Sequence, residues 1–148
     1  MRKSLLFVMV ALLTTVTTLT IQAQAHKSLP QNAKDYISKH FKDYTINHYE
    51  KDRDIIDIEH TVYISNTKNT YKLEFNEKGV VQKIESKNRN SNLPKSVLPV
   101  KITEYVNKHF PNTQIVEWSR DNNKQVVELD NELELVFNSK GNFVRIDD

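Results

Sequence analysis

The sequence predicts an α+β fold of two tandem repeats, each one helix followed by a four-stranded antiparallel meander, with the helices covering one sheet face. Three observations carry this expectation. Leu29-Pro30 with Tyr36-Ile37-Ser38-Lys39-His40-Phe41 recurs, 69 positions on, as Leu98-Pro99 with Tyr105-Val106-Asn107-Lys108-His109-Phe110. The chain's two glycines, Gly79 and Gly141, lie 62 positions apart and close the matching segments Leu73 to Gly79 and Leu135 to Gly141. Within each copy the apolar spacing changes from about 3.6 to 2 residues. In a copied unit the shared residues report architecture, and the differences are the place to look for function.

The first 25 residues read as a secretory signal. Arg2 and Lys3 form a basic start, Leu5 to Leu13 an apolar run, and Ala23-Gln24-Ala25 a small-x-small cleavage site. The apolar run is about half the ~20 residues of a spanning helix. The mature chain is therefore expected to begin at His26 and to be periplasmic or secreted, with no stable membrane insertion after cleavage. Removing Arg2 and Lys3 from 21 Lys and Arg leaves 19 basic residues against 19 acidic ones. Without net positive charge or a basic stripe, nucleic acid is not an expected partner. The chain has no cysteine, which excludes thiolate catalysis, thiolate metal sites and disulfide support.

Each helix follows from its stripe. Leu29, Ala33, Tyr36, Ile37, His40 and Phe41 fall on one helical face, as do Leu98, Ile102, Tyr105, Val106, His109 and Phe110. Pro30 and Pro99 suit a first turn, where a missing N–H costs nothing, and Pro111 stops the second helix near Phe110. Phe41 and Phe110 are the expected anchors onto the sheet. Strands are expected near 45–50, 55–65, 71–76 and 80–85, then 114–119, 125–130, 132–137 and 142–147. Asn76-Glu77-Lys78-Gly79 and Asn138-Ser139-Lys140-Gly141 read as hairpin turns, with Gly in the left-handed position. The domain plan is 26–87, a polar linker at 88–97 carrying Pro94, and 98–148. The copies diverge most over 52–70.

Taken together, Leu-Pro opening the helix, Tyr36 to Phe41, Ile46 and Phe75 to Gly79 form one set. Leu98-Pro99, Tyr105 to Phe110, Ile115 and Phe137 to Gly141 repeat it. In this the chain resembles the bacterial PepSY-like proteins grouped with the β-lactamase-inhibitor-protein fold, over nearly all of 29–148. The resemblance implies an exported protein with two tandem helix-plus-sheet copies and no established catalytic residues. The inhibitor that lends the fold its name binds an enzyme with the open concave face of its sheet. This chain lacks that inhibitor's disulfides, so inhibition of a β-lactamase is not implied.

Candidate chemistry is sparse. His40 and His109 occupy equivalent positions, which invites a paired acid–base or metal reading, but duplication and packing at the border of the stripe explain them. Asp52, Asp54 and Asp57 with Glu59 are acidic enough for calcium, yet lack the glycine and terminal Glu of an EF-hand loop. Interleaved Lys51 and Arg53 make them a solvated hairpin. His26 as a mature N-terminus has no second metal-binding arm. No catalytic motif, cofactor or metal site is expected.

Aromatic residues off the stripe are the stronger candidates. Strict alternation puts Val116 and Trp118 on the face opposite Ile115, Val136 opposite Leu135 and Phe137, and Phe143 opposite Ile146. Tyr49, Ile55 and Tyr63 take the comparable phase earlier. Tyr49, Tyr63, Trp118, Val136 and Phe143 are thus the expected partner-binding patch of an uncovered face. The expected function is non-enzymatic binding of an envelope or extracellular protein, in an inhibitor-like manner. The alternative is a carrier of a small apolar ligand.

Overall fold

The computed structural model describes residues 27–54 and 57–147. The expected signal segment, His26, Ile55 and Ile56 lie outside these residues, as does Asp148. Helix α1 (Gln31–His40) is followed by β1 (Thr45–Arg53), β2 (Ile58–Ser65), β3 (Thr70–Asn76) and β4 (Val81–Ser86). A 3-10 turn (Lys95–Val97) leads to α2 (Val100–His109), β5 (Ile115–Arg120), β6 (Lys124–Leu129), β7 (Glu134–Asn138) and β8 (Phe143–Asp147). The eight strands make one antiparallel sheet in chain order. The pairs Lys83–Ser119, Ile84–Trp118 and Glu85–Glu117 join β4 to β5 and make that sheet continuous.

The helices begin and end where the sequence requires. Pro30 and Pro99 are the N-cap residues; the Pro30 carbonyl accepts the Ala33 and Lys34 N–H groups at 3.1 and 3.2 Å, and the Pro99 carbonyl accepts that of Thr103 at 3.1 Å. At the far ends the Phe41 and Phe110 N–H groups close onto Ile37 and Val106, each at 2.8 Å. Ala33 and Ile37, and likewise Ile102 and Val106, are the buried helical residues. Tyr36 meets Phe75 edge-on at 5.9 Å and Tyr105 meets Phe137 at 5.5 Å, so both helices lie on one face. The two anchors are unequal, because Phe41 is buried and Phe110 only half-buried.

Both glycine turns form as expected. Gly79 and Gly141 have φ of +74° and +78°, a region open to glycine at little cost. The Asn76 side-chain oxygen accepts the N–H groups of Lys78 and Val80, and that of Asn138 accepts those of Lys140 and Asn142. The 88–97 stretch is fastened to both sides of the molecule. Leu93 and Val97 are buried, the Leu93 N–H donates to the Ile115 carbonyl at 2.8 Å, and the Tyr71 hydroxyl donates to the Asn92 carbonyl at 3.0 Å.

Four bulges decide which side chains face the helices. Asn47 is the extra residue in β1, between Ile46 and His48, and Val116 that in β5, between Ile115 and Glu117. Gln82 plays the same part in β4 and Val144 in β8. An extra residue puts its two neighbours on opposite faces, where unbroken alternation would keep them together, and so reverses the phase of everything beyond it.

Candidate binding face

The register places two complete rows across the sheet. On the helix side, Tyr49, Val62, Leu73, Ile84, Trp118, Val127, Leu135 and Ile146 stand opposite one another from β1 to β8. On the other side the neighbouring row reads His48, Tyr63, Lys72, Glu85, Glu117, Glu128, Glu134 and Asp147. The first row is the floor of the core. The second belongs to the face that no element covers among the described residues.

This placement corrects three of the five expected contact residues. Trp118, 3% exposed, lies in the core, where its indole N–H donates to the Gln125 side-chain oxygen at 3.1 Å. The bulge at Val116 puts it on the same face as Ile115. Tyr49 follows the bulge at Asn47 onto the helix side, where its hydroxyl is 2.9 Å from Nδ1 of the buried His60. Phe143 precedes the bulge at Val144 and stacks on Tyr105 at 4.6 Å, under α2. Tyr63 and Val136 do lie on the uncovered face. Tyr63 is half-buried beside His48, their rings 5.7 Å apart, and Val136, flanked in its row by Val126 and Arg145, is 3% exposed.

Charge, rather than aromatic surface, dominates the uncovered face. From β4 to β8 the row is acidic without interruption: Glu85, Glu117, Glu128, Glu134, Asp147. Adjacent strands are about 4.8 Å apart, and like charges directly opposite are unfavourable. Basic side chains offset part of this. Lys83 reaches Glu117 at 2.7 Å, Lys87 reaches Glu85 at 2.7 Å, and Arg89 bridges Glu128 and Glu132 at 3.2 and 2.8 Å. Arg145 holds Asp147 through Nε at 2.6 Å, whereas Glu134 has no cationic partner among the described residues. Partial burial raises the pKa of Glu117; the pull of Lys83 opposes this, and Glu85 and Glu128 add to the rise. The row is legible in the sequence only once each strand's phase is known.

The other candidates take structural places. The His40 ring lies 4.6 Å from Tyr36 and the His109 ring 4.4 Å from Tyr105, each packed on the tyrosine one turn earlier. Burial lowers the pKa of His40, and the Lys39 charge adds to that. Asp52 pairs with Glu59 across the β1–β2 hairpin, and the Asp54 N–H donates to the Asp57 carbonyl at 2.9 Å. Among the described residues no three His, Asp or Glu side chains come together as metal ligands. No helix there is long and apolar enough to cross a membrane.

Comparison with known proteins adds a family and a location. The family model described as "Putative beta-lactamase-inhibitor-like, PepSY-like" matches residues 19–83 and again 59–145. A Bacteroides thetaiotaomicron protein described as a "putative calcium-regulated periplasmic protein" has a similar structure. Its TM-score is 0.74 at 27% identity, over 82% of this chain and 92% of that one. A Bacteroides vulgatus protein, "putative periplasmic protein from DUF2874 family", gives a TM-score of 0.72 at 30% identity over 82% and 92%. A second from that organism, "of unknown function", gives 0.74 at 26% over 82% and 94%. No curated protein sequence matches the chain. The periplasmic or secreted location expected from the N-terminus agrees with all three neighbours.

Proposed function

The chain belongs to the PepSY-like, β-lactamase-inhibitor-like family, and from that premise we propose that it is an exported, non-enzymatic binding protein. Its uncovered sheet face engages a protein partner in an inhibitor-like manner, and the partner presents a basic surface. The observation that carries this reading is the uninterrupted acidic row on a face that nothing covers among the described residues. Alternating signs across the strands would be more favourable for the sheet than one sign offset from the flanks by Lys83, Lys87, Arg89 and Arg145. Complementary charge on a partner would relieve the repulsion and speed encounter. Tyr63 remains a contact residue in this reading, in the same row two strands before its acidic part, whereas Val136, 3% exposed, is too buried to meet a partner. The calcium regulation named for one neighbour is not carried over, since the described residues gather no ligand set.

We also infer that the two halves are copies of one unit. The family model's two matches support this, as do bulges at corresponding places in β1 and β5 and in β4 and β8.

Capture from the exporting cell's envelope tests the binding proposal. Wild type is compared with the variant Glu85→Gln, Glu117→Gln, Glu128→Gln, Glu134→Gln, and with Arg120→Gln on the helix side. The expected result is a partner retained by wild type and Arg120→Gln, lost by the neutralised face, and weakened by added salt. Equal recovery by all three would refute the face.

A further inference from the structure

The helix side carries an open cleft. A cleft of about 980 Å³ runs between α1 and α2 down to the sheet, within the size range of small-molecule sites. Trp118 and Gln125 lie at its floor, Tyr36 of α1 and Val100 of α2 on its walls, and Arg120 and Lys140 at its rim.

The polar groups of this cleft share one character. The Tyr36 hydroxyl is buried and has no hydrogen-bond partner among the described residues, an arrangement rare enough to need a reason. Burial pushes its pKa up to about 12, against the pull of Arg120, so it remains a proton donor at neutral pH. Arg120 is pinned: its Nε donates to the Val81 carbonyl at 3.0 Å, and its guanidinium carbon sits 5.8 Å from the centre of the Trp118 ring. Its two terminal amino groups have no partner among the described residues. Lys101 and Lys140, also lining the cleft, have no carboxylate partner there either. The carboxylate that lines the cleft, Asp121, already accepts the Asn123 and Lys124 N–H groups at 2.7 and 2.9 Å within its own turn. Gln125 is occupied too, accepting from Trp118 and donating to the Asn138 and Ser139 carbonyls.

The contrast with the opposite face is direct. There Lys72, Lys83, Lys87, Arg89 and Arg145 are each paired with a carboxylate. Here the terminal amino groups of Arg120, two lysines and a buried hydroxyl have no partner among the described residues, next to the apolar surface of Val81, Val97, Pro99 and Val100. A planar guanidinium with its outer edge unpaired matches a carboxylate in geometry as well as charge.

We propose that the cleft between the helices binds a small organic carboxylate with an apolar body. The Arg120 edge and the Tyr36 hydroxyl receive the carboxylate, with Lys101 and Lys140 adding charge, while the body lies against the valines of the wall. This site is on the side away from the acidic row and does not depend on the function proposed for it.

Trp118 is the chain's one tryptophan, so its fluorescence reports on the cleft floor. The test titrates the full chain with decanoate, decanol and acetate. Decanoate is expected to change the emission saturably, roughly tenfold or more tighter than decanol, as a charge-assisted pair warrants. Acetate should fail to saturate at matched concentrations. Arg120→Gln should weaken decanoate at least about tenfold and leave decanol unchanged, and Lys101→Gln should weaken it less. Tyr36→Phe removes a hydroxyl the fold does not use, so the chain should melt no lower while decanoate binds several-fold more weakly. No saturable change with decanoate, equal affinity for decanoate and decanol, or wild-type affinity in both Arg120→Gln and Tyr36→Phe would overturn the proposal.

Discussion

Leu73 and Lys72 are neighbours in β3, yet they belong to two rows with opposite chemistry. Leu73 stands in an apolar row that crosses all eight strands beneath the helices. Lys72 stands in the row that turns acidic at β4 and stays so to β8. The inner row has a complete folding rationale: it is buried over most of its length and carries the contacts to Ala33, Ile37, Ile102 and Val106. The outer row is only partly accounted for by folding: Lys83, Lys87, Arg89 and Arg145 offset four of its charges, and Glu134 is left without a cation among the described residues. A row of one charge sign on an uncovered face points to use of that face.

The largest expected effects lie on the inner side. Leu73→Ala should cost about 2–5 kcal/mol, whereas Lys72→Ala next to it should stay within about 1 kcal/mol, its ion pair being partly exposed. Chemical denaturation of the two variants checks this, and comparable losses would erase the distinction between the faces.

The next effect is at the glycine turns that meet the helices. A Cβ on Gly79 would come within 2.8 Å of the Ala33 nitrogen and the Pro30 Cβ, whereas one on Gly141 meets nothing nearer than 3.4 Å. Both substitutions to Ala strain a left-handed backbone, by about 1–3 kcal/mol. Gly79→Ala should therefore show the larger fall in melting temperature, with Gly141→Ala near the low end.

The outer row should respond in the opposite direction. Glu134→Gln removes a charge that has no cationic partner among the described residues and stands between Glu128 and Asp147. It should leave stability unchanged or raise it by about 0.2–1 kcal/mol. A loss of more than that would mean the row supports the fold after all.

The smallest effect is in the pH dependence. The pKa of Glu117 is raised in the folded chain, so its contribution to stability is fully present below its unfolded value of 4.5 and is lost as pH rises through the folded value. Acidification from pH 7 towards that range should therefore recover some stability through this group. Glu117→Gln should recover less, in melting curves taken across the same range.

Much of the scaffold is legible in the sequence, because its signals are local. The helical stripes, the prolines at their starts, and Asn76 and Gly79 with their counterparts Asn138 and Gly141 each act within a few residues. The placement of Tyr49, Trp118 and Phe143 is not legible in the same way. It depends on Asn47, Val116 and Val144 being extra residues, and a bulge is a property of two paired strands rather than of one. The acidic row was hidden for the same reason. Its members are scattered through five strands and become neighbours only through the register, including the β4–β5 pairing that joins the halves. The cleft required still more, since it depends on how two helices distant in sequence sit over one sheet.

Photo-crosslinking in the exporting cell's envelope tests the central claim most directly, with a crosslinking side chain placed either at Tyr63 on the uncovered face or at His109 on the exposed side of α2. The account predicts a discrete protein adduct from position 63 and none from 109. An adduct from 109 alone would contradict it.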